Sequence, residues 1–333
     1  MVDFKALFES FSRVRIGVIG DVMLDTYMWG AVDRISPEAP VPIVSLQRKD
    51  HRIGGAGNVA LNAQSLGATT FVLSVIGRDE DGTRLEQMFA ENHINTAYVV
   101  RSNSRITTNK TRIISRNQQM MRLDSEITQD LVDADAQALL DQVRSFIQRE
   151  KPDVIVFEDY NKGVLTQKVI QEVIALCKKA GVITAVDPKR KNFFSYQGVD
   201  IFKPNLKEVK DGLNLILVDI NKETLGSIHK QVAAVLRHAI SFITLSEKGV
   251  FYQSESEAAI IDSHLRNIAD VSGAGDTVIA VASLIYAATR NVRLMAEVAN
   301  IAGGLVCEEV GTVAINRDKL LSECELLLKD RLN

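Results

Sequence analysis

Late in the chain, the stretch Asp270-Val271-Ser272-Gly273-Ala274-Gly275-Asp276 joins a glycine-rich turn to a carboxylate, and a long apolar run, Thr277 to Ala288, follows it. That order describes a loop turning sharply into a buried helix. The first N–H groups of such a helix have no partner inside it and can hold an anion, and glycines let the backbone come close. A carboxylate beside an anion site repels the anion. A reason to place Asp276 there is a hydroxyl that it deprotonates while a phosphoryl group is transferred to that oxygen. Taken locally, the same pattern also suits a plain glycine turn whose aspartate faces a helix N-terminus.

Other polar clusters stand at the ends of apolar runs. Val14 to Gly20 leads to Asp21 and Asp25. The run 153–157 leads to Glu158-Asp159-Tyr160-Asn161-Lys162-Gly163, and 182–186 to Asp187-Pro188-Lys189-Arg190. The run 200–202 leads to Lys203-Pro204-Asn205-Leu206-Lys207-Glu208, and 241–245 to Ser246-Glu247-Lys248-Gly249. Each alone is an ordinary loop, but in a parallel sheet they share the edge where ligands bind. They supply cations for phosphates. Asn205 and Glu208, one helical turn apart, suit a Mg²⁺ ion held through water. This is equipment for phosphoryl transfer from a nucleotide such as ATP, and with no G-x-x-x-x-G-K-[ST] pattern the chain is not a P-loop enzyme.

A rival reading starts at Gly55-Ala56-Gly57-Asn58-Val59-Ala60, which fits the dinucleotide fingerprint GxGxxA, with Asp79 about where a ribose-binding acid would sit. The strand ahead of it is short and proline-flanked, unlike the first buried strand, and the late glycine loop would have no purpose. The nicotinamide reading is therefore the weaker one. A sugar-phosphate-binding protein without catalysis is a third, and the intact Asp276 argues against it.

The elements that must position these residues alternate regularly. Helices read over 3–12, up to Leu66, 80–91, 129–149, 166–180, 221–238, 274–289, 292–309 and 318–331, with strands at 14–20, 70–76, 96–100, 153–157, 182–186, 200–202 and 241–245 and a hairpin through Gly249 into 250–252. Such alternation predicts an α/β fold, a doubly wound, mostly parallel sheet with helices on both faces. Two stretches fall outside the rhythm, near 30–50 and 103–124. The first carries three prolines at 37, 40 and 42, which bar helix, and the second is strand-like and polar. They predict a small β-sheet lid or dimer clasp on a single domain spanning 1–333.

The second lid stretch carries Arg105, Lys110, Arg112, Arg116 and Arg122. Cations suit a phosphorylated sugar, whereas a neutral sugar asks for hydrogen-bonding groups. Strand alternation lets only some face the site, and Lys110, Arg112 and Arg122 are the chosen set. Composition is that of a soluble protein: 333 residues, 46% apolar, 24% charged, net charge −3, with no global basic field for nucleic acid or membrane. The three cysteines lack metal-type spacing, and no signal-peptide or bilayer-length apolar run is present, so a cytoplasmic protein is expected.

Gly54-Gly55 with Asn58, Asn205-x-x-Glu208 and the segment 270–276 together resemble the three ordered signatures of the ribokinase, or PfkB-type, carbohydrate kinases, over essentially the whole chain. The resemblance implies the ribokinase-like fold with a β lid that often clasps a second subunit, so a homodimer is expected. It makes Asp276 the catalytic base and Gly273, Ala274 and Gly275 the anion hole. Asp21, Asp25, Gly54, Gly55 and Asn58 become sugar contacts. The nucleotide then lies over Ser246, Glu247 and Gly249 and the region of Asn300 to Gly304. A monovalent cation such as K⁺ is a further cofactor to test for.

Within the family, Arg34 to Pro42, Ser115-Arg116-Asn117-Gln118-Gln119 with Arg122 and Asp124, Asp159-Tyr160-x-Lys162-Gly163 and Asp187-Pro188-Lys189 resemble the members that phosphorylate D-glycero-D-manno-heptose 7-phosphate at C1 on the way to ADP-heptose and lipopolysaccharide. On this basis Asp159, Lys162 and Lys189 join the substrate set. Asn161 stands where glycine is expected and Gly57 where alanine is usual. The bifunctional members add a nucleotidyltransferase with an HxGH motif, which this sequence lacks, so a kinase-only protein or isolated kinase domain is expected.

Overall fold

The apolar runs are buried on both faces because alternate side chains feed two separate cores. In a computed structural model, which describes residues 2–116, 118–215 and 219–329, Ile16, Val18, Val154 and Val156 pack into one core while Ile19, Ile155 and Phe157 pack into the other. The strands are β1 (Arg15–Gly20), β2 (Val22–Ile35), β3 (Pro42–Gly55), β4 (Thr69–Leu73), β5 (Val75–Gly77), β6 (Val100–Ser102), β7 (Thr108–Ser115), β8 (Gln118–Ser125), β9 (Val154–Glu158), β10 (Ile183–Asp187), β11 (Ile201–Phe202), β12 (Ile240–Thr244), β13 (Val250–Gln253) and β14 (Ala258–Ile261). The helices are α1 (Phe4–Ser10), α2 (Ala56–Ser65), α3 (Glu80–Glu91), α4 (Asp133–Glu150), α5 (Gln167–Ala180), α6 (Leu206–Leu213), α7 (Lys222–Leu236), α8 (Ala274–Thr289), α9 (Val292–Val306) and α10 (Arg317–Leu328).

The main sheet runs β14-β13-β12-β11-β10-β9-β1-β4. Every pair from β12 to β4 is parallel, and β13 and β14 add an antiparallel edge. Helices α1, α2, α8, α9 and α10 contribute to the first core, and α4, α5 and α7 to the second. This is the doubly wound arrangement expected, and its strand ends bring the predicted polar clusters to one edge.

The lid is a four-stranded sheet, β3-β2-β7-β8, and it is larger than the segments 30–50 and 103–124 suggest. β2 begins at Val22, one residue after β1, so the chain passes from core sheet to lid with only Asp21 between them. Asp25 therefore sits on a lid strand and not at the end of β1. The expected strand 70–76 is two, because Ser74 turns its hydroxyl to the Gly20 carbonyl at 2.7 Å and β5 leaves to pair with β6. β14 went unforeseen. The GxGxxA stretch follows lid strand β3, and Asp79 caps α3: it accepts from the N–H groups of Gly82 and Thr107, both at 2.7 Å. Neither arrangement serves a dinucleotide.

Asn62, fully buried in α2, ties three segments together. Its amide donates to the Asn58 carbonyl at 2.8 Å, and its oxygen accepts from the Thr277 hydroxyl at 3.0 Å and the Ile315 N–H at 2.9 Å. Asn62→Ala leaves these buried groups without partners, at a cost of about 2–3 kcal/mol. Urea unfolding is the check, and an unchanged midpoint would contradict this role.

Candidate functional site

Gly273 takes φ 79° and starts α8, placing Asp276 in the first turn with only 4% of its surface exposed. Its two oxygens are held from different elements. Asn58 of α2 donates to Oδ2 at 2.8 Å, and the Tyr160 hydroxyl donates to Oδ1 at 2.8 Å. Burial pushes the Asp276 carboxyl up to about 6, although both hydrogen bonds act the other way. The result is a carboxylate able to take a proton near neutral pH, in the first turn of α8.

Beneath it, the ends of β9, β10 and β11 assemble charged groups. Asp187 pairs with Lys189 at 2.9 Å and Lys203 at 2.7 Å, and Lys189 also meets Glu208 at 2.7 Å. Burial opposes the charge on Asp187, but the two lysines hold its carboxyl below the ordinary range. Desolvation also opposes the charge on the half-buried Lys189, but Asp187 and Glu208 raise it above the ordinary lysine range. Glu208 is raised by burial and by Asp187, against the pull of Lys189. Asn205 and Glu208 form a reciprocal capping box on α6, each side chain accepting from the other's backbone N–H at 2.8 Å. That fixes them beside Lys189, with carboxylate lone pairs left for water.

Glu158, absent from the sequence-derived candidates, is fully buried, and among the described residues neither of its carboxylate oxygens has a hydrogen-bond partner. Burial, Asp187 and Asp276 drive its carboxyl well above the ordinary range. One oxygen from each of Glu158, Asp187 and Asp276 lies within 4.8 Å of the others. Orphaned buried oxygens among converging acids fit a hard divalent cation such as Mg²⁺.

Several of the residues expected as ligand contacts also build the site. Asp21 is buried and accepts from the N–H groups of Tyr160, Lys162 and Val164 at 2.8, 3.0 and 3.1 Å, so its carboxylate shapes the 160–164 loop. Asp159 does the same from beneath, accepting from the Asn161 N–H, the Asn192 amide and the Tyr196 hydroxyl. Asn161 adopts φ 54°, which is why glycine suits that position and asparagine is tolerated. Gly54 leaves room for the Asp25 carboxylate, and Gly55 takes φ 60° against the Asp21 carbonyl. Lys162 pairs with Glu126 at 2.7 Å.

On the lid, register places Lys110 and Arg112 two apart on β7 and sets Arg122 opposite Arg112, so the three share a face. Arg112 pairs with Asp25 at 2.5 Å and Arg122 with Asp124 at 2.8 Å. Lys110 lies over the Tyr160 ring, 5.4 Å from its centroid, and among the described residues no carboxylate stands within ion-pair distance of it. Arg105 does not belong to this face: it is buried and donates to the carbonyls of Ile127, Gln129 and Lys162. Arg116 sits at the hairpin turn with φ 48°, and its neighbour Asn117 lies outside the described residues.

The expected nucleotide segments are also gathered. Ser246 and Glu247 open a short 3-10 turn after β12, and Gly249 takes φ 87° against the Ile261 carbonyl. The Ser263 hydroxyl donates to the Glu247 carbonyl, and Asn300 of α9 donates to the Asp262 carbonyl at 2.9 Å.

Tyr160 was legible only as part of a motif, and its contact with Asp276 is the missed feature of most consequence. Removing the donor in Tyr160→Phe leaves the Asp276 charge less stabilised. A ¹³C-carboxyl NMR titration should therefore find Asp276 near 6 in the parent protein and higher in the variant; an unchanged value would show that the hydroxyl is not bound there.

Comparison with known proteins bears directly on this geometry. The chain is 36% identical over 321 residues to the Bifunctional protein HldE of Desulfatibacillum aliphaticivorans, covering 95% of this chain and 64% of that protein. To the protein of the same name in Sulfurimonas denitrificans it is 37% identical over 310 residues, covering 93% and 64%. It thus spans somewhat less than two thirds of those relatives. Among solved structures, phosphofructokinase-2 from Escherichia coli in complex with potassium superposes with a TM-score of 0.79 at 17% identity, covering 95% of this chain and 99% of that one. Arabidopsis thaliana ribokinase complexed with ribose and ATP gives 0.71 at 17% identity, covering 92% and 98%. These share the fold. Residues 15–319 match the pattern of the pfkB family carbohydrate kinases, and with relatives above 35% identity over nearly its full length the chain belongs to that family and is a carbohydrate kinase.

Proposed function

We propose that this kinase transfers the γ-phosphoryl group of ATP to the C1 hydroxyl of D-glycero-D-manno-heptose 7-phosphate, giving the 1,7-bisphosphate for ADP-heptose and lipopolysaccharide core synthesis. The observation that carries the reading is Asp276, buried, held by Asn58 and Tyr160, and set one turn inside the helix that Gly273 opens. The hydroxyl oxygen attacks the γ-phosphorus in line as its proton passes to Asp276, and the bond to the β–γ bridging oxygen breaks to release ADP. The N–H groups of Gly273, Ala274 and Gly275 would face the charge that develops on the transferring group, Ala274 giving up its 3.3 Å bond to the Val271 carbonyl.

Glu158 and Asp187 would hold Mg²⁺, with Asn205 and Glu208 reaching it through water; the ion supplies charge neutralisation on the phosphates. Lys189 and Lys203 balance the acids there. Ser246, Glu247, Gly249 and Asn300 would line the nucleotide, and K⁺ is a candidate activator. The lid face supports a sugar phosphate: Lys110, Arg112 and Arg122 share it, and of the three Lys110 alone has no carboxylate within ion-pair distance among the described residues. Burial, with Lys162 nearby, pulls its ammonium below the ordinary lysine range, so a phosphate would be a favourable partner. A kinase acting on another sugar phosphate is the second reading, favoured by the same three cations, which recognise the phosphate and not the sugar.

Measured ADP release over a panel of sugars and sugar phosphates is the test. Heptose 7-phosphate should turn over fastest, and another sugar exceeding it would replace the substrate assignment. Asp276→Asn should retain the fold but lose turnover by about a thousandfold or more. Because Asp276 must be ionised to accept the proton, kcat/KM should fall as pH drops through about 6. Near-normal turnover in Asp276→Asn would remove it as the base.

The lid also exposes Ile35, Val41, Leu46, Met121 and Leu123, each more than half exposed. We propose that they pack against a second subunit's lid. Light scattering should give twice the monomer mass, falling to one in the Met121→Glu, Leu123→Glu double variant; a monomeric parent protein would refute the clasp.

A further inference from the structure

One lid side chain reaches the supports of the anion loop. Arg52, near the end of β3, has a quarter of its side chain exposed, and its Nη1 donates to the carbonyls of Val310 at 2.9 Å and Thr312 at 3.3 Å. The residue between them, Gly311, takes φ 74°, and the Arg52 guanidinium fills the space a Cβ would need. Gly311 in turn donates its N–H to Asp270 Oδ2 at 2.9 Å. Asp270 Oδ1 accepts from the Ser272 N–H at 3.0 Å and hydroxyl at 2.8 Å, which fixes the entry to Gly273. Thr312 reaches the same loop directly, since a Cβ on Gly273 would lie 3.2 Å from its Cγ2.

On the lid side, Arg52 is tied to the cations that face the substrate. Arg52 and Arg112 both lie over the Tyr27 ring, 4.8 and 5.2 Å from its centroid. Arg112 pairs with Asp25, and Asp25 lies opposite Arg52 in the β2–β3 register. Contacts thus run without a break from the substrate face of the lid to the turn that opens α8.

We infer that Arg52 is a positioning residue that couples the placement of the lid to the geometry of the Gly273–Gly275 anion loop. It touches no reacting atom. Its guanidinium pins two carbonyls of the 310–312 loop, and that loop pins Asp270 and Gly273. A lid seated on its substrate then presents the loop amides in order, and a lid displaced from it releases them. The inference rests on the reading of this loop as the anion hole, for its catalytic consequence only; the coupling itself stands on the contacts.

The experiment compares Arg52→Met, which keeps the stem and removes the donors, with Arg52→Lys, which restores a cation. Hydrogen–deuterium exchange of the free protein should quicken in Arg52→Met at 308–313 and also at 270–275, and Arg52→Lys should recover part of that protection. In turnover of the best sugar phosphate in the panel, kcat should fall about tenfold or more in Arg52→Met while KM for ATP and sugar phosphate stays within about twofold. A residue that only held the lid on its substrate would raise the sugar phosphate KM and leave kcat unchanged. Unchanged exchange at 270–275 overturns the coupling whatever the kinetics, and faster exchange there with an unaltered kcat overturns its catalytic consequence. Should no sugar phosphate be turned over by the parent enzyme, the proposed substrate fails, and the exchange measurement still decides the coupling.

Discussion

A carboxylate kept dry at a helix start, with one neutral donor on each oxygen, is the constraint on which this structure turns. Asp276 lies in α8, Asn58 in α2 and Tyr160 after β9, so the two bonds of 2.8 Å hold only if both helices and the strand end meet at one point. The parallel sheet makes them meet. β1, β9 and β10 run side by side in register, so their C-terminal ends, and the loops beyond, stop at the same edge. Asn62 then locks α2 to α8 one turn behind the site, where its lone carboxamide serves Asn58, Thr277 and Ile315.

Electrostatics divides the acids at that edge into roles. Asp187 and Asp276 are both buried, yet their carboxyls move in opposite directions. Two lysines attend Asp187 and keep it charged, whereas Asp276 has only neutral donors and rises to about 6. Glu158, close to both and without a hydrogen-bond partner of its own among the described residues, rises well above the ordinary range because of burial and of both neighbours. A divalent cation bound there would pull the Glu158 carboxyl back down, since a positive charge opposes both the burial penalty and the repulsion from Asp187 and Asp276.

The parts legible in the sequence were those whose chemistry is local. Gly273 to Asp276 is readable because the left-handed turn, the helix start and the carboxylate occupy four consecutive residues. The parallel sheet is readable because its strands are buried on both faces and so nearly uniform in hydropathy. The structural role of Asp21 and Asp159 was not legible, because an acid at a strand end is ambiguous and their partners are the amides and side chains of residues up to 143 positions away. The lid was undersized for a similar reason. Val22 to Gly30 is as apolar as a core strand, and no turn residue other than the Gly20-Asp21 junction marks where it leaves the core sheet. Tyr160 and Glu158 lacked any signal that set them apart from the other polar residues in their loop.

The lid explains how a site built for phosphoryl transfer can be selective without altering its chemical centre. The groups proposed to do chemistry come from the main sheet edge and α8, and their positions are set by the core. The cations proposed to bind a phosphorylated sugar come from the half-buried β7 and the exposed β8, outside that core. Such separation has a cost: a lid free to change is also free to sit badly. The Arg52 contact answers it, because a guanidinium that bonds to two carbonyls of one short loop works only when β3 and that loop are both in place. The requirement for a seated lid is thereby carried into the turn at Gly273, where the amides proposed to meet the transferring phosphoryl group begin.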